Sequence, residues 1–144
     1  MAEYSANAVQ TVNPGETIVF TESPEPCTRG LVRHRDGSGN FLLAGRTNCR
    51  CKGSVGYEVD FGANIAIPTG ETVGPISVAL SIDGATLPAT NMIVTPAAVE
   101  EYFNVSRATG IDIWAGCCES FSIRNTSEIP ILVQNANVVF AYKG

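Results

Sequence analysis

Apolar and polar residues alternate along much of this chain. In "GYEVDFGANIAIP" (56–68), Tyr57, Val59, Phe61, Ala63, Ile65 and Ile67 fall on one face, and Gly56, Glu58, Asp60, Gly62 and Asn64 on the other. Successive side chains of a strand point to opposite faces, so this reads as a long strand with one face buried. "ISVALSID" (76–83) repeats the pattern, with Ile76, Val78, Leu80 and Ile82 against Ser77, Ala79, Ser81 and Asp83. "ESFSIRN" (119–125) sets Phe121 and Ile123 against Ser120, Ser122 and Arg124.

Turn residues part these runs. "PTGETVGP" (68–75) separates the first two, and "DGAT" (83–86) carries an Asp-Gly hairpin signal. "RDGSGN" (35–40) lies between "LVRH" and "FLLAG", "NPGE" (13–16) precedes "TIVFTE", and "NTSEIP" (125–130) precedes the last run. About nine short strands at this spacing predict an all-β antiparallel sandwich or barrel. "TPAAVEEYF" (95–103) has two readings. Thr95 as N-cap with Pro96 at the first helical position would start a short helix, and an extended loop is the other.

The closing run "ILVQNANVVFAYKG" is apolar on both faces near its end: Val138, Phe140 and Tyr142 on one, Val139 and Ala141 on the other. A strand apolar on both sides is covered on both sides. One cover is the opposite sheet; the second is a loop of the same chain or another subunit.

At 144 residues the chain fits one domain with a core of its own. Residues 1–10 read as a short N-terminal arm and 11–144 as the domain. Charged residues make up 16% and the net charge is −5, which argues against nucleic-acid binding, since that relies on a basic face. No apolar run approaches the ~20 residues of a membrane span. The start "MAEYSANAVQ" lacks the basic and apolar regions of a signal peptide, so the expected site of synthesis is a reducing cytoplasm.

Five cysteines are the candidate chemistry: Cys27, Cys49, Cys51, Cys117 and Cys118. Neither Cys49-x-Cys51 nor the adjacent Cys117-Cys118 has the spacing of a zinc knuckle. A nucleophilic cysteine needs a base, and the one histidine, His34, sits between Arg33 and Arg35 in what reads as a polar surface. No nucleophile elbow, phosphate-binding loop or dinucleotide fingerprint is present. The expectation is no enzyme, no metal and no cofactor. All five cysteines lie in loop-like segments, which leaves packing thiols or disulfides between loops that meet at one end of a sandwich.

The order "VNPGETIVF", "GSGNFLLAG", "GYEVDFGANIAIPTG", "ISVALSIDGATLPAT", "CESFSIRNTS" and "NANVVFAY" resembles the jelly-roll domain of tumour-necrosis-factor-like and C1q-like proteins, over roughly residues 9–143. That domain also forms the head of bacterial collagen-like spore-surface fibres, but this chain has no Gly-X-Y stalk. "FGANIAIPTGETVGPISVALSIDG", "MIVTPAAVEEYFNVS", "GCC" and "VQNAN" are similar to stretches of small proteins from gut Firmicutes and their prophages, which tend to be encoded near phage head genes. The resemblance implies a two-sheet jelly roll, a homotrimer about a threefold axis, and a virion role as a capsid decoration or head-fibre protein. The phage major capsid protein is the implied partner. Val138, Phe140 and Tyr142 are then axis candidates, with the sandwich core as their alternative place. A receptor- or glycan-binding head is a second implication; Trp114, the one tryptophan, would be exposed for it or buried against it.

Overall fold

A computed structural model describes residues 1–27, 30–47, 53–116 and 118–144. Among them lie twelve strands and one short 3-10 turn, Pro88–Thr90, more strands than the nine expected because several turns carry short pairings of their own. In chain order the strands are β1 (Ala2–Ala6), β2 (Gln10–Val12), β3 (Glu22–Glu25), β4 (Val32–His34), β5 (Phe41–Ala44) and β6 (Ser54–Ala66). Then come β7 (Ile76–Ile82), β8 (Ala85–Thr86), β9 (Met92–Val94), β10 (Phe103–Trp114), β11 (Cys118–Asn125) and β12 (Ile131–Tyr142).

These strands make two antiparallel sheets. The first runs β10-β6-β12-β1-β3, with β2 extending the β1 side of β12. The second runs β4-β5-β11-β7-β8, with β9 also on β7. The sheets pack face to face as a jelly-roll sandwich, because each presents one apolar face that must leave water. The alternation of β6 is realised as read: Tyr57, Val59, Phe61, Ala63 and Ile65 are buried while Glu58 and Asp60 are exposed. Rings from both sheets meet in the centre. Phe140 lies 5.0 Å from Phe41 and 5.1 Å from Phe121, and Tyr4 lies 5.0 Å from Phe41. The tilted and edge-on geometries are those that aromatic quadrupoles favour.

Two expectations change, and one open choice is decided. The first ten residues are not an arm outside the sandwich. β1 sits between β12 and β3, with Ala2, Tyr4 and Ala6 buried, because its period-two face completes the core beneath β12. "TPAAVEEYF" forms no helix: it is irregular from Thr95 to Tyr102, turns at Val99–Glu100, and enters β10 at Phe103. Third, β7 is buried on both faces, Ser77, Ala79 and Ser81 included. Its neighbours supply hydroxyl partners to its backbone, while the Ser81 Oγ is buried without a hydrogen bond among the described residues. Ser127 Oγ accepts the Ser77 N–H at 2.7 Å, and Thr90 Oγ1 accepts the Leu80 N–H at 2.9 Å.

A bulge in β12 decides which of its residues face the core. Pairing with β6 shifts between Gln134 and Asn137, and Asn135 takes a positive φ of 54°. Asparagine tolerates that conformation better than most residues. The extra residue reverses the parity, so Ile131 and Val133 before it and Ala136, Val138 and Phe140 after it all point inward.

Candidate functional site

The bulge settles where the axis candidates go. Val138 is 0% exposed and Phe140 1% exposed within a single chain, so both side chains are spent on the sandwich core and cannot touch another subunit. Tyr142 is half-buried; its ring packs edge-on to Tyr57 at 5.4 Å and its hydroxyl donates to the Arg46 carbonyl. The second apolar face of β12 belongs instead to Leu132, Val139 and Ala141, each half-buried on the outside of the first sheet.

That outer face is built from small side chains. Register sets Val139 beside Asp60 and then Ala108, Ala141 beside Glu58 and then Gly110, and Asn137 beside Gly62 and then Ser106. The glycines and alanines leave a hollow of about 490 Å³ over β6 and β10, bordered by Glu58, Asp112 and Lys143. Lys143 Nζ lies 3.4 Å from Glu58. Trp114 continues the same face at the end of β10, 73% exposed, with its backbone N–H donating to Glu119 at 3.2 Å. The core alternative for Trp114 therefore falls away.

The second sheet carries two more hollows on its outer side. One, about 490 Å³, is lined by Val73, Pro75, Ile93 and Ile129. The other, about 340 Å³, is lined by Arg33, Arg35, Ser38, Asn40, Leu42 and Ser120. His34, between those arginines, does not lie on the surface as read. It points inward, stacked on Phe41 at 4.2 Å, and its two ring nitrogens face the carbonyls of Phe20 at 3.0 Å and Asn40 at 3.1 Å. A strand's alternation puts a residue opposite to both its neighbours, which was the signal for this inversion.

Cys49, Cys51 and Cys117 lie outside the described residues. Cys27 is half-buried and Cys118 exposed. Segments that flank the cysteines do come together at one end of the sandwich. Cys118 is in register with Ala44, whose N–H donates to the Leu31 carbonyl at 2.8 Å. The Gly116 N–H donates to Gly45 at 2.7 Å, and the Ala115 N–H to Gly53 at 3.0 Å. Among the described residues no group of three or more His, Cys, Asp or Glu side chains is arranged to hold a metal ion.

No protein-family model matches the chain, and no curated protein sequence is similar to it. Solved structures share its fold. The globular domain of the zebrafish complement 1qA protein is 11% identical, with 99% of this chain and 98% of that chain covered and a TM-score of 0.59. The Eiger TNF from S. frugiperda is 12% identical, with 99% and 91% covered and a TM-score of 0.70. The fold is thus the TNF/C1q-like jelly roll, as the order of its runs led one to expect.

Proposed function

We propose that this chain is a non-catalytic virion component, a homotrimeric jelly roll that decorates a phage capsid or forms a head fibre, with the major capsid protein as its partner. The observation that carries self-assembly is the outer face of the first sheet. Leu132, Val139 and Ala141 remain half-buried there, beside Ala108, Gly110 and Gly62, on a face where the polar contacts are the Asn137–Glu3, Asn104–Asn64 and Lys143–Glu58 pairs among the described residues. Flat faces of small side chains let a second backbone approach closely, and exposed apolar patches of this kind mark association sites. The virion assignment rests on the resemblance read in the quoted stretches alone; the comparisons with known proteins add the fold and nothing to the particle role.

Light scattering on a sizing column, with and without reductant, tests the assembly. Three copies of the 15.2 kDa chain are expected in both conditions. A monomer in both would sink the reading. A trimer lost only in reductant would move the assembly contacts to the cysteine end. Binding of the trimer to phage heads stripped of it tests the particle role, and no binding to any head preparation would overturn it.

A second reading, a head domain that binds a host-surface glycan, is favoured by the exposed indole of Trp114 and by the hollow of the second sheet, where Arg33, Arg35, Ser38 and Asn40 meet Leu42. A glycan array addresses it directly.

A further inference from the structure

Charge is distributed very unevenly along this chain. Residues 29–52 hold six of its nine Lys and Arg residues and one of its 14 Asp and Glu residues, Asp36. The rest carries three basic and 13 acidic residues. An acidic protein that gathers its cations into one segment sets up a local field of opposite sign.

The fold concentrates two of those cations further. Arg33 lies on β4 and Arg35 follows two residues on, so both project to the outer side while His34 between them is pinned inward. Register sets Arg33 beside Leu42, and Leu42 beside Ser120, across three strands. Together with Ser38 and Asn40 these residues line the 340 Å³ hollow. Among the described residues neither arginine makes an ion pair, and both are exposed. Two carboxylates border the region, each held by a serine, and among the described residues neither pairs with an arginine. Asp83 accepts the Ser120 N–H at 2.8 Å and its hydroxyl at 3.2 Å, and Asp36 accepts the Ser23 hydroxyl at 2.7 Å. Two like charges on one side of a strand repel each other, and an anion between them relieves that.

The frame around them is fixed before any ligand arrives. The Ser38 hydroxyl accepts the Asn40 N–H at 3.1 Å, the Ser38 carbonyl accepts the Phe20 N–H at 3.0 Å, and His34 is held by its stack on Phe41. A preorganised site loses less entropy on binding.

We infer that the Arg33–Arg35 hollow binds an anionic saccharide, one bearing carboxylate or sulfate groups. The inference rests on the glycan-binding reading and names its site and ligand class. Guanidinium groups fork onto carboxylate or sulfate oxygens. The hydroxyls and amide of Ser38, Asn40 and Ser120 suit ring hydroxyls, and Leu42 offers a small apolar contact to a sugar's C–H face. An extended nucleic acid would run onto the acidic remainder of the molecule. The hollow lies on the second sheet, away from the face assigned to self-assembly, so a trimer presents three such sites at once and gains avidity.

The test is retention of the full chain on immobilised polygalacturonate, dextran sulfate, neutral dextran and single-stranded DNA, with thermal melting as a folding control. Binding to polygalacturonate or dextran sulfate, and not to neutral dextran, is expected. Retention on polygalacturonate alone identifies a carboxylate ligand, and on dextran sulfate alone a sulfate. Arg33→Ala and Arg35→Ala should each weaken it at least about tenfold, the scale of a lost charge-assisted contact. Arg33→Lys should recover part of the loss, and Arg107→Ala, which removes an exposed cation from the other sheet, should change nothing. Undiminished retention of the double alanine variant, or stronger retention on DNA than on either saccharide, would overturn the inference. Array binding to neutral glycans, indifferent to both arginines, would sink it while sparing the glycan-binding reading. No binding to any saccharide would end both.

Discussion

The hydroxyl of Tyr57, on β6 of the first sheet, donates to the carbonyl of Ala44, on β5 of the second, at 2.6 Å. The Leu31 carbonyl lies 3.2 Å from the same oxygen. One phenol thereby links the two sheets at the end where the cysteine-flanking segments gather. Burial, and after it the neighbouring Tyr142 phenol, push its pKa from 10.0 up to about 12.

The direction of that shift fixes a pH dependence. The unfolded chain gives up the Tyr57 proton near pH 10, while the folded chain keeps it to about 12. The stabilisation is therefore complete below pH 10 and is lost as pH climbs from 10 to about 12. Burial raises Tyr4 in the same direction, so it adds to the fall. Urea midpoints should hold steady up to about pH 10 and then drop. Tyr57→Phe should cost about 1 kcal/mol at pH 8 through the lost hydrogen bond, and should make the alkaline drop shallower. An unchanged alkaline slope in the variant would show that Tyr57 does not drive it.

Asn125 is buried at the end of β11 and uses its whole side chain. Its amide donates to the carbonyls of Val12 at 2.9 Å and Ile129 at 3.0 Å, and its oxygen accepts the Ser127 N–H at 2.8 Å. Asn125→Ala leaves three buried backbone groups unpaired, each costing about 1–3 kcal/mol where water cannot reach it. Asn125→Asp should be worse above pH 5, because a carboxylate would then face two carbonyl oxygens. Denaturation midpoints of the two variants at pH 7 give the order, and an aspartate variant more stable than the alanine one would refute it.

Gly39 is required by space rather than by backbone angle. A Cβ there would fall 2.0 Å from Thr17 Oγ1 and 2.9 Å from the Ile18 carbonyl oxygen. Gly39→Ala should cost about 1–3 kcal/mol, the usual range for overpacking. Adding Thr17→Ala removes the nearest clash and leaves those with the Thr17 Cβ position at 2.7 Å and the Ile18 carbonyl, so the double variant should regain part of the loss. No recovery in thermal melting would mean that the remaining contacts, with the residue-17 Cβ and the Ile18 carbonyl, dominate.

Local pattern carried the sheet class, the long alternating β6 and the turns at "DGAT" and "PTGETVGP", because these depend on neighbours a few residues away. What escaped was set at long range. β1 is short, with two alanines flanking Tyr4 on its inner face, and its place becomes visible only through Tyr4 pairing with Val138 across almost the whole chain. The bulge at Asn135 inverts the faces of β12 without any break in composition, so Val138 and Phe140 could be read either way. Ser77 and Ser81 look like a wet face, yet partners from residues 87–90 and 126–127 close over β7. The two arginines flanking His34 were plain in the sequence. Their hollow was not, since Ser120 reaches it from another strand more than eighty residues on.

Val139 and Phe140 are neighbours on β12 that point to opposite faces, and they separate folding from assembly. Phe140 sits among Tyr4, Phe41 and Phe121, so Phe140→Leu should lower stability by about 1–2 kcal/mol through lost core packing. It should leave the mass by light scattering unchanged. Val139 faces outward in a row with Glu3 and Asp60. A lysine there can reach both carboxylates in the isolated chain, so the Val139→Lys monomer should fold normally by circular dichroism. Buried between subunits the same ammonium would be costly, since charge leaving water needs well-matched partners. The mass should fall to one chain. A variant pair behaving the other way round, with Phe140→Leu dissociating and Val139→Lys still assembled, would put the subunit contact somewhere other than the outer face of the first sheet.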